Sequence, residues 1–368
     1  MLMQTNFAVQ HVDRACLRHI VRRIHAQRLR SGRNRVGQTA WMCASLVVLS
    51  VAGSGTAAGQ SERRTLGGSD VRLYNIAGQV TVERGTGNDV VVEISRGGRD
   101  AARLRVDTGV VRGSNTLRVI YPEGDIVYPG ARRTGTRSSD RSDRSDRSDR
   151  NDDRMGRRGG SYNTELRLDR NGTWGSDGRW DGGRPVRVRS SGNGTEAWAD
   201  IRVFVPRGRS VQIYLGVGLL EATGVDADLK LDVAAANVIA WNMRGRLSID
   251  AGSGTVEVRD ATATDLNVDT GSGSVAVSGV TADRCAFATG SGSIAGDRVE
   301  CDDAKFDTGS GSIRVDDVRA PNASFDTGSG PVDVGLLVSP RSLTIESGSG
   351  SVVVRLPESA DAEVSIET

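Results

Sequence analysis

The phrase IDAGSG at 249–254 returns as VDTGSG at 268–273, FATGSG at 287–292, FDTGSG at 306–311, FDTGSG at 325–330 and IESGSG at 345–350. Its first glycines, Gly252, Gly271, Gly290, Gly309, Gly328 and Gly348, stand 19 residues apart four times and 20 once. A fixed period of about 20 residues marks a solenoid or a related repeat array. Three residues before each glycine come Ile249, Val268, Phe287, Phe306, Phe325 and Ile345, and four after come Val256, Val275, Ile294, Ile313, Val332 and Val352. Positions five before and six after are mostly apolar as well, so each unit reads as two short strands with one buried face, flanking a Gly-Ser-Gly turn.

Two strands alone are marginal in water. Stacking removes the problem, because backbone groups pair with the units above and below and equivalent side chains form inner ladders. The sequence therefore predicts an all-β fold, a β-solenoid or β-roll of about 19-residue coils with Gly-Ser-Gly corners. Phe287, Phe306 and Phe325 are expected in one aromatic stack, and the glycines are expected to supply positive φ at the corners. About eight coils would make a rod roughly 40 Å long.

The remainder of the chain divides around this array. Residues 1–40 hold eight arginines against one acid, Asp13, together with all three histidines, His11, His19 and His25. An uncharged run from Trp41 to Ala52 follows, then small residues around Thr56–Ala58. That order reads as a secretory signal peptide over 1–58, with an uncleaved anchor as the rival reading. No lipobox precedes Cys43. Losing 1–58 removes eight arginines and one aspartate and turns the formal net charge from +2 to −5. The folded part then has neither a basic nucleic-acid footprint nor a histidine for catalysis or metal binding.

Residues 59–130 alternate as solenoid strands with less regular corners. Residues 131–198 break the pattern. The run RSDRSDRSDR at 141–150 is almost free of apolar residues and is expected to be disordered. The same insert carries Trp174, Trp180 and Trp198, read either as a contact surface or as staples holding the insert to the solenoid. The repeat domain proper spans 199–368, entered through strands around Pro206.

From that entry onward the chain resembles the bacterial "putative adhesin" family of unknown function (DUF4097-like, Gly-Ser-Gly-turn β-solenoid). The resemblance rests on the strand–VP–strand entry at Val203–Val211, the serial turns of the form TGSGS, and the late Leu356–Pro357 dipeptide. It covers roughly 70–120 and 199–368. It implies a cell-envelope module, and the word adhesin comes from the family name alone.

Candidate chemistry is sparse. Asp-Thr-Gly-Ser at 269–272, 307–310 and 326–329 matches the aspartic-protease motif, but that chemistry needs two aspartates facing each other across a dyad. Here the motif recurs by coil, with Ala288 and Glu346 at equivalent places, so its Asp is expected to cap the turn by accepting backbone N–H bonds. The nine-residue calcium-roll repeat is absent, and no metal or cofactor is expected. Cys285 and Cys301 are the cysteines left after export, and a disulfide between them is left open against two small buried thiols. The expected function is non-enzymatic display or adhesion in the periplasm, on the outer surface or outside the cell. The expected partner is an envelope protein or a surface glycan; nucleic acid is excluded, and the membrane is touched only through the signal segment. A polysaccharide-binding or polysaccharide-degrading solenoid, and a periplasmic scaffold or sensor, are the alternatives.

Overall fold

The computed structural model describes residues 61–130, 163–175 and 183–360. The leader, the RSD run and Trp180 lie outside them. The first strands are β1 (Ser61–Leu66), β2 (Asp70–Arg84), β3 (Val90–Gly97), β4 (Arg105–Val111), β5 (Ser114–Ile120) and β6 (Ile126–Val127). Next come β7 (Asn163–Leu168), β8 (Arg184–Arg189), β9 (Thr195–Glu196), β10 (Trp198–Val205), β11 (Ser210–Thr223) and β12 (Asp228–Arg244). The regular coils comprise β13 (Leu247–Ser253), β14 (Val256–Thr270), β15 (Val275–Thr289), β16 (Ile294–Thr308), β17 (Ile313–Arg319) and β18 (Asn322–Thr327). The chain then runs through β19 (Val332–Leu336), β20 (Ser342–Ser347) and β21 (Val352–Arg355).

The protein is a β-solenoid. Parallel pairing sets Val256 opposite Val275, Val275 opposite Ile294 and Ile294 opposite Ile313, so equivalent residues of successive coils stack in register. The inner ladder contains Phe287, Phe306 and Phe325, each 0% exposed. Their ring centroids are 5.1 and 4.9 Å apart, the spacing that parallel strands impose on side chains one coil apart.

Each coil has three sides where two strands were expected. In β14, Val256 and Val258 face inward, then Ala261, then Leu266, Val268 and Thr270. Alternation breaks at two places, where Arg259 and Asp260 and then Thr264 and Asp265 both turn outward. The first break is a bend in the left-handed region, with φ of 51° at Asp260 and 65°, 51° and 55° at Gly279, Arg298 and Asp317 one coil later each time. We call the runs from Val256, from Ala261 and from Leu266 the first, second and third sides.

The Gly-Ser-Gly corners also work differently from expectation. Of their glycines only Gly254 has a positive φ between strands β13 and β14. Glycine is needed for close approach instead. A Cβ on Gly273 would lie 1.5 Å from the Gly254 carbonyl oxygen, and one on Gly311 would lie 1.8 Å from that of Gly292. Coils pass one another backbone to backbone at this edge, which leaves no room for a side chain.

The first coil is β2, and the second is β11, 140 residues later by the pairing of Asp70 with Ser210. Everything between is an excursion that closes this end. β5 pairs with the third side of β2, and β4 lies antiparallel on β5. β10 pairs with the first side of β2, followed by antiparallel β3 and β1. Tyr121 pins the closure from within: its hydroxyl lies 2.8 Å from Asn75 Oδ1 and 2.9 Å from the Ala77 oxygen, and Asn75 Nδ2 donates to Ala199 O at 2.7 Å. Burial pushes the Tyr121 phenol far above its ordinary pKa.

Half of the insert departs from the expectation of disorder. β7 and β8 form an antiparallel pair in a separate four-stranded sheet with β6 and β9. The reason is short alternation in ELRL and PVRV, which buries Leu166, Leu168, Val186 and Val188 on one face.

Candidate interaction surfaces

In the DTGSG phrase, Thr and Asp divide the work. Thr289, Thr308 and Thr327 point inward and are at most 3% exposed. Each donates its hydroxyl to the carbonyl of the second corner glycine one coil earlier, at 2.7 Å to Gly273, 2.8 Å to Gly292 and 2.9 Å to Gly311. The same oxygens accept from the second glycine N–H of their own corner, at 3.0 Å for Gly292 to Thr289 and 3.1 Å for Gly311 to Thr308. One hydroxyl thus ties two corners together. The turn-capping role expected of Asp belongs to Thr, because the side-chain alternation at the strand end places Thr inside and Asp outside.

The displaced carboxylates form a column on the third side. Asp232 lies opposite Asp250, Asp250 opposite Asp269, Asp307 opposite Asp326 and Asp326 opposite Glu346, with Ala288 interrupting. Partial burial, then the charges of Asp250 and Asp307, raise the Asp269 pKa above its ordinary 3.8. Lys305 partly offsets the column through Asp307 at 3.3 Å. These carboxylates are stacked one per coil on one face, so they do not form an opposed dyad. Among the described residues no group of three or more His, Cys, Asp or Glu is arranged to hold a metal ion.

Cys285 and Cys301 are joined in a disulfide with their Cα atoms 6.2 Å apart. Cys285 begins the third side of its coil, and Cys301 ends the second side of the next, since Ala282 stands opposite Cys301 and Cys285 opposite Ala304. The bond therefore crosses an inner corner diagonally and fastens two coils. Both cysteines are 3% exposed.

Trp174 and Trp198 are half-buried, packed against the core. Trp174 meets Tyr74 edge-on at 5.3 Å, and Tyr74 stacks on Tyr214 at 4.3 Å. Trp198 lies against Tyr128 at 5.8 Å. Both rings staple the insert to the first coils, and the expected tryptophan contact surface is not assembled by this pair; Trp180 is outside the described residues.

A different tryptophan is exposed. Trp241, at 53%, is the one strongly exposed aromatic ring among the described residues. Its Nε1–H donates to Asp260 Oδ2 at 3.0 Å, which fixes the indole against the first bend of the next coil. Along the first side it heads an outward column, with Arg259, Ser278 and Asp297 following in register. Beside that column runs a second, Ile239, Glu257, Ala276 and Ala295. A shallow open trough results, floored by Ala276, Ala295 and Gly296 and walled by Arg259, Asp260, Ser278, Asp297 and Arg298. Sequence reading missed it because tryptophan occurs once in the column, with no repeat to announce it.

The family model described as Toastrack DUF4097 matches residues 195–368. A solved structure, "a putative cell adhesion protein from Clostridium sporogenes ATCC 15579", aligns with 81% of this chain and 100% of its own at 10% identity and a TM-score of 0.25. That superposition is too loose to bear on fold or function. No curated protein matches the chain.

Proposed function

We propose, on the premise that residues 195–368 match the family model described as Toastrack DUF4097, that the chain is a non-enzymatic, exported interaction module of the cell envelope. The observation that carries this reading is the outward columns. Each coil adds one side chain to every column in strict register, so the third side offers carboxylates at about 4.8 Å intervals, interrupted at Ala288. An extended partner, an envelope protein or a surface glycan, meets many individually weak contacts whose joint engagement multiplies their affinities. A rigid rod has little conformational freedom left to lose on binding, which removes one of the costs of association.

Export is supported by the basic, apolar and small-residue order of 1–58 and by a buried disulfide suited to an oxidising compartment. No helix among the described residues is long and apolar enough to cross a membrane. The non-enzymatic reading is supported by the carboxylates of the DTGS phrase, which stand one per coil on one face instead of sharing a proton across a cleft.

Fractionation of cells producing the full chain, with N-terminal sequencing, tests export. A product starting near Gly59 in the envelope or medium is expected, and full-length chain confined to the cytoplasm overturns it. The display surface is tested by retention of envelope fractions on immobilised chain. Replacing Asp269, Asp307 and Asp326 together by serine is expected to remove most of it. Undiminished retention by a folded triple variant overturns the acid column as the contact.

A further inference from the structure

We propose that Trp241 and the trough leading from it along the first side bind an unbranched, uncharged oligosaccharide of pyranose units. The inference deepens the interaction reading and rests on it only in part, since it concerns a different side of the coil from the acid column.

Tryptophan is large and usually well covered in a folded protein. Trp241 has Thr223 and Arg259 as its column neighbours, and neither folds a hydrophobic cover over it. An indole left half in solvent and held still by a hydrogen bond to Asp260 offers a flat apolar face of fixed direction. The C–H face of a pyranose ring is the complement of such a surface: flat, weakly apolar and bordered by hydroxyls.

The trough supplies what those hydroxyls need. Its floor is low, because the small outward residues Ala276 and Ala295 stand where the preceding coil has Glu257. Two of the walls' charged side chains, Arg259 and Arg298, are already paired, while Asp260 is held by the Trp241 indole N–H. Arg259 bridges Glu257, and Arg298 reaches Asp297 at 2.5 Å and donates to Ser278 Oγ at 2.9 Å. Paired guanidinium and carboxylate groups keep free donor and acceptor sites while their net field is small. That arrangement favours neutral hydroxyls over an anionic polymer, which would have to break the pairs on the carboxylate side. The direction also fits. Outward residues repeat along the coil axis, so a linear chain of sugar rings laid in the trough meets a new set of polar groups at every coil.

The experiment is calorimetric titration of the purified full chain with two probes, the hexamers of β-1,4-linked glucose and of β-1,4-linked N-acetylglucosamine. At least one is expected to bind. Trp241→Ala is expected to weaken that binding at least about tenfold, the loss of one well-packed anchor. Trp241→Phe should retain part of it. Because Trp241 is exposed, both variants should keep the circular dichroism and melting temperature of the parent. Ala276→Trp, which fills the floor without touching Trp241, should abolish binding. Three results overturn the proposal: neither hexamer binds at millimolar concentration, the Trp241→Ala variant binds as the parent does, or only an anionic chain such as polygalacturonate binds. None of these bears on retention through the acid column, so the two readings fail separately.

Discussion

The first and the last described coils of the solenoid carry the same inner ladders and differ in how well those ladders are covered. At the first coil, Leu73 and Val82 are 1% and 0% exposed, because β5 and β10 lie over the two sides of β2. At the last described coil, Val352 and Val354 are 46% and 37% exposed, and Leu343 and Ile345 are only half-buried. The apolar alternation is equally good in both places. A repeat specifies how one coil sits on the next, but every parallel coil leaves a further edge, so no number of repeats ends the stack. Ending it takes strands of another kind. β3 and β4 run antiparallel to their neighbours, and the outermost β1 carries Glu62, Arg63 and Arg64, charges that discourage further pairing.

This contrast is measurable. Phe306 lies fully inside, stacked between two other rings, so Phe306→Ala is expected to cost about 3–5 kcal/mol in denaturant unfolding. Ile345 occupies the same ladder position in the last described coil, opposite Phe325. Ile345→Ala should cost about 1 kcal/mol, since half of its surface burial is missing at the start. Comparable losses at the two sites would break the contrast and mean that the last coil is covered in solution.

The disulfide sharpens it next. Cys285 and Cys301 stand 16 positions apart, close to one coil, and chain-entropy reasoning gives about 3 kcal/mol for a loop of that size. Replacing both by alanine should lower stability by roughly 2–4 kcal/mol. The loss should concentrate in hydrogen exchange of β15 and β16 and leave β2 and β10 protected. Uniform loosening of both ends would show that the solenoid unfolds as one unit instead of coil by coil.

Much of this was readable from the residues, and the exceptions have physical causes. The 19-residue period and the phenylalanine ladder are visible because inward positions tolerate few residue types. The first bend was hidden because its left-handed residue is Asn242, Asp260, Gly279, Arg298 or Asp317, sharing a conformation and few letters. The glycines were visible but misassigned, since close approach and positive φ select the same residue. β2 belongs to the array although 140 residues separate it from β11; only VRLYNIAG at 71–78 set against VQIYLGVG at 211–218 betrays it. Trp241 stayed hidden for the reverse reason, since a site residue on a repeat need occur only once.

The corner threonines test whether the repeat is held by polar ties as well as by packing. Thr308→Val keeps shape and removes a hydroxyl that donates to Gly292 and accepts from Gly311. The two corners are left with a buried carbonyl and a buried N–H that lack this partner. The expected loss is about 1–3 kcal/mol. Ser347, which donates to Gly330 at 3.1 Å in the last described coil and is only half-buried, should cost less when changed to alanine, because water can replace it there.

The smallest effect expected comes from the acid column, and its sign is the informative part. Asp269 has a folded pKa raised above its ordinary 3.8, by burial first and then by Asp250 and Asp307. The native chain therefore takes up this proton at a higher pH than the unfolded chain does. Above the raised value the charged column opposes folding in full. As pH falls through that value toward 3.8, the native state gains stability relative to the unfolded state. Asp269→Asn should accordingly stabilise the protein at neutral pH by a few tenths of a kcal/mol, the scale of exposed charges screened by solvent, and added salt should shrink the gain. Since Ala288 already interrupts the column beside it, Ala288→Asp should do the reverse and steepen the pH dependence. A melting temperature that falls in the Asp269→Asn variant would mean that the carboxylate is held by a favourable partner, and the column would then have to be read as a structural tie instead of a surface kept charged against the interest of folding.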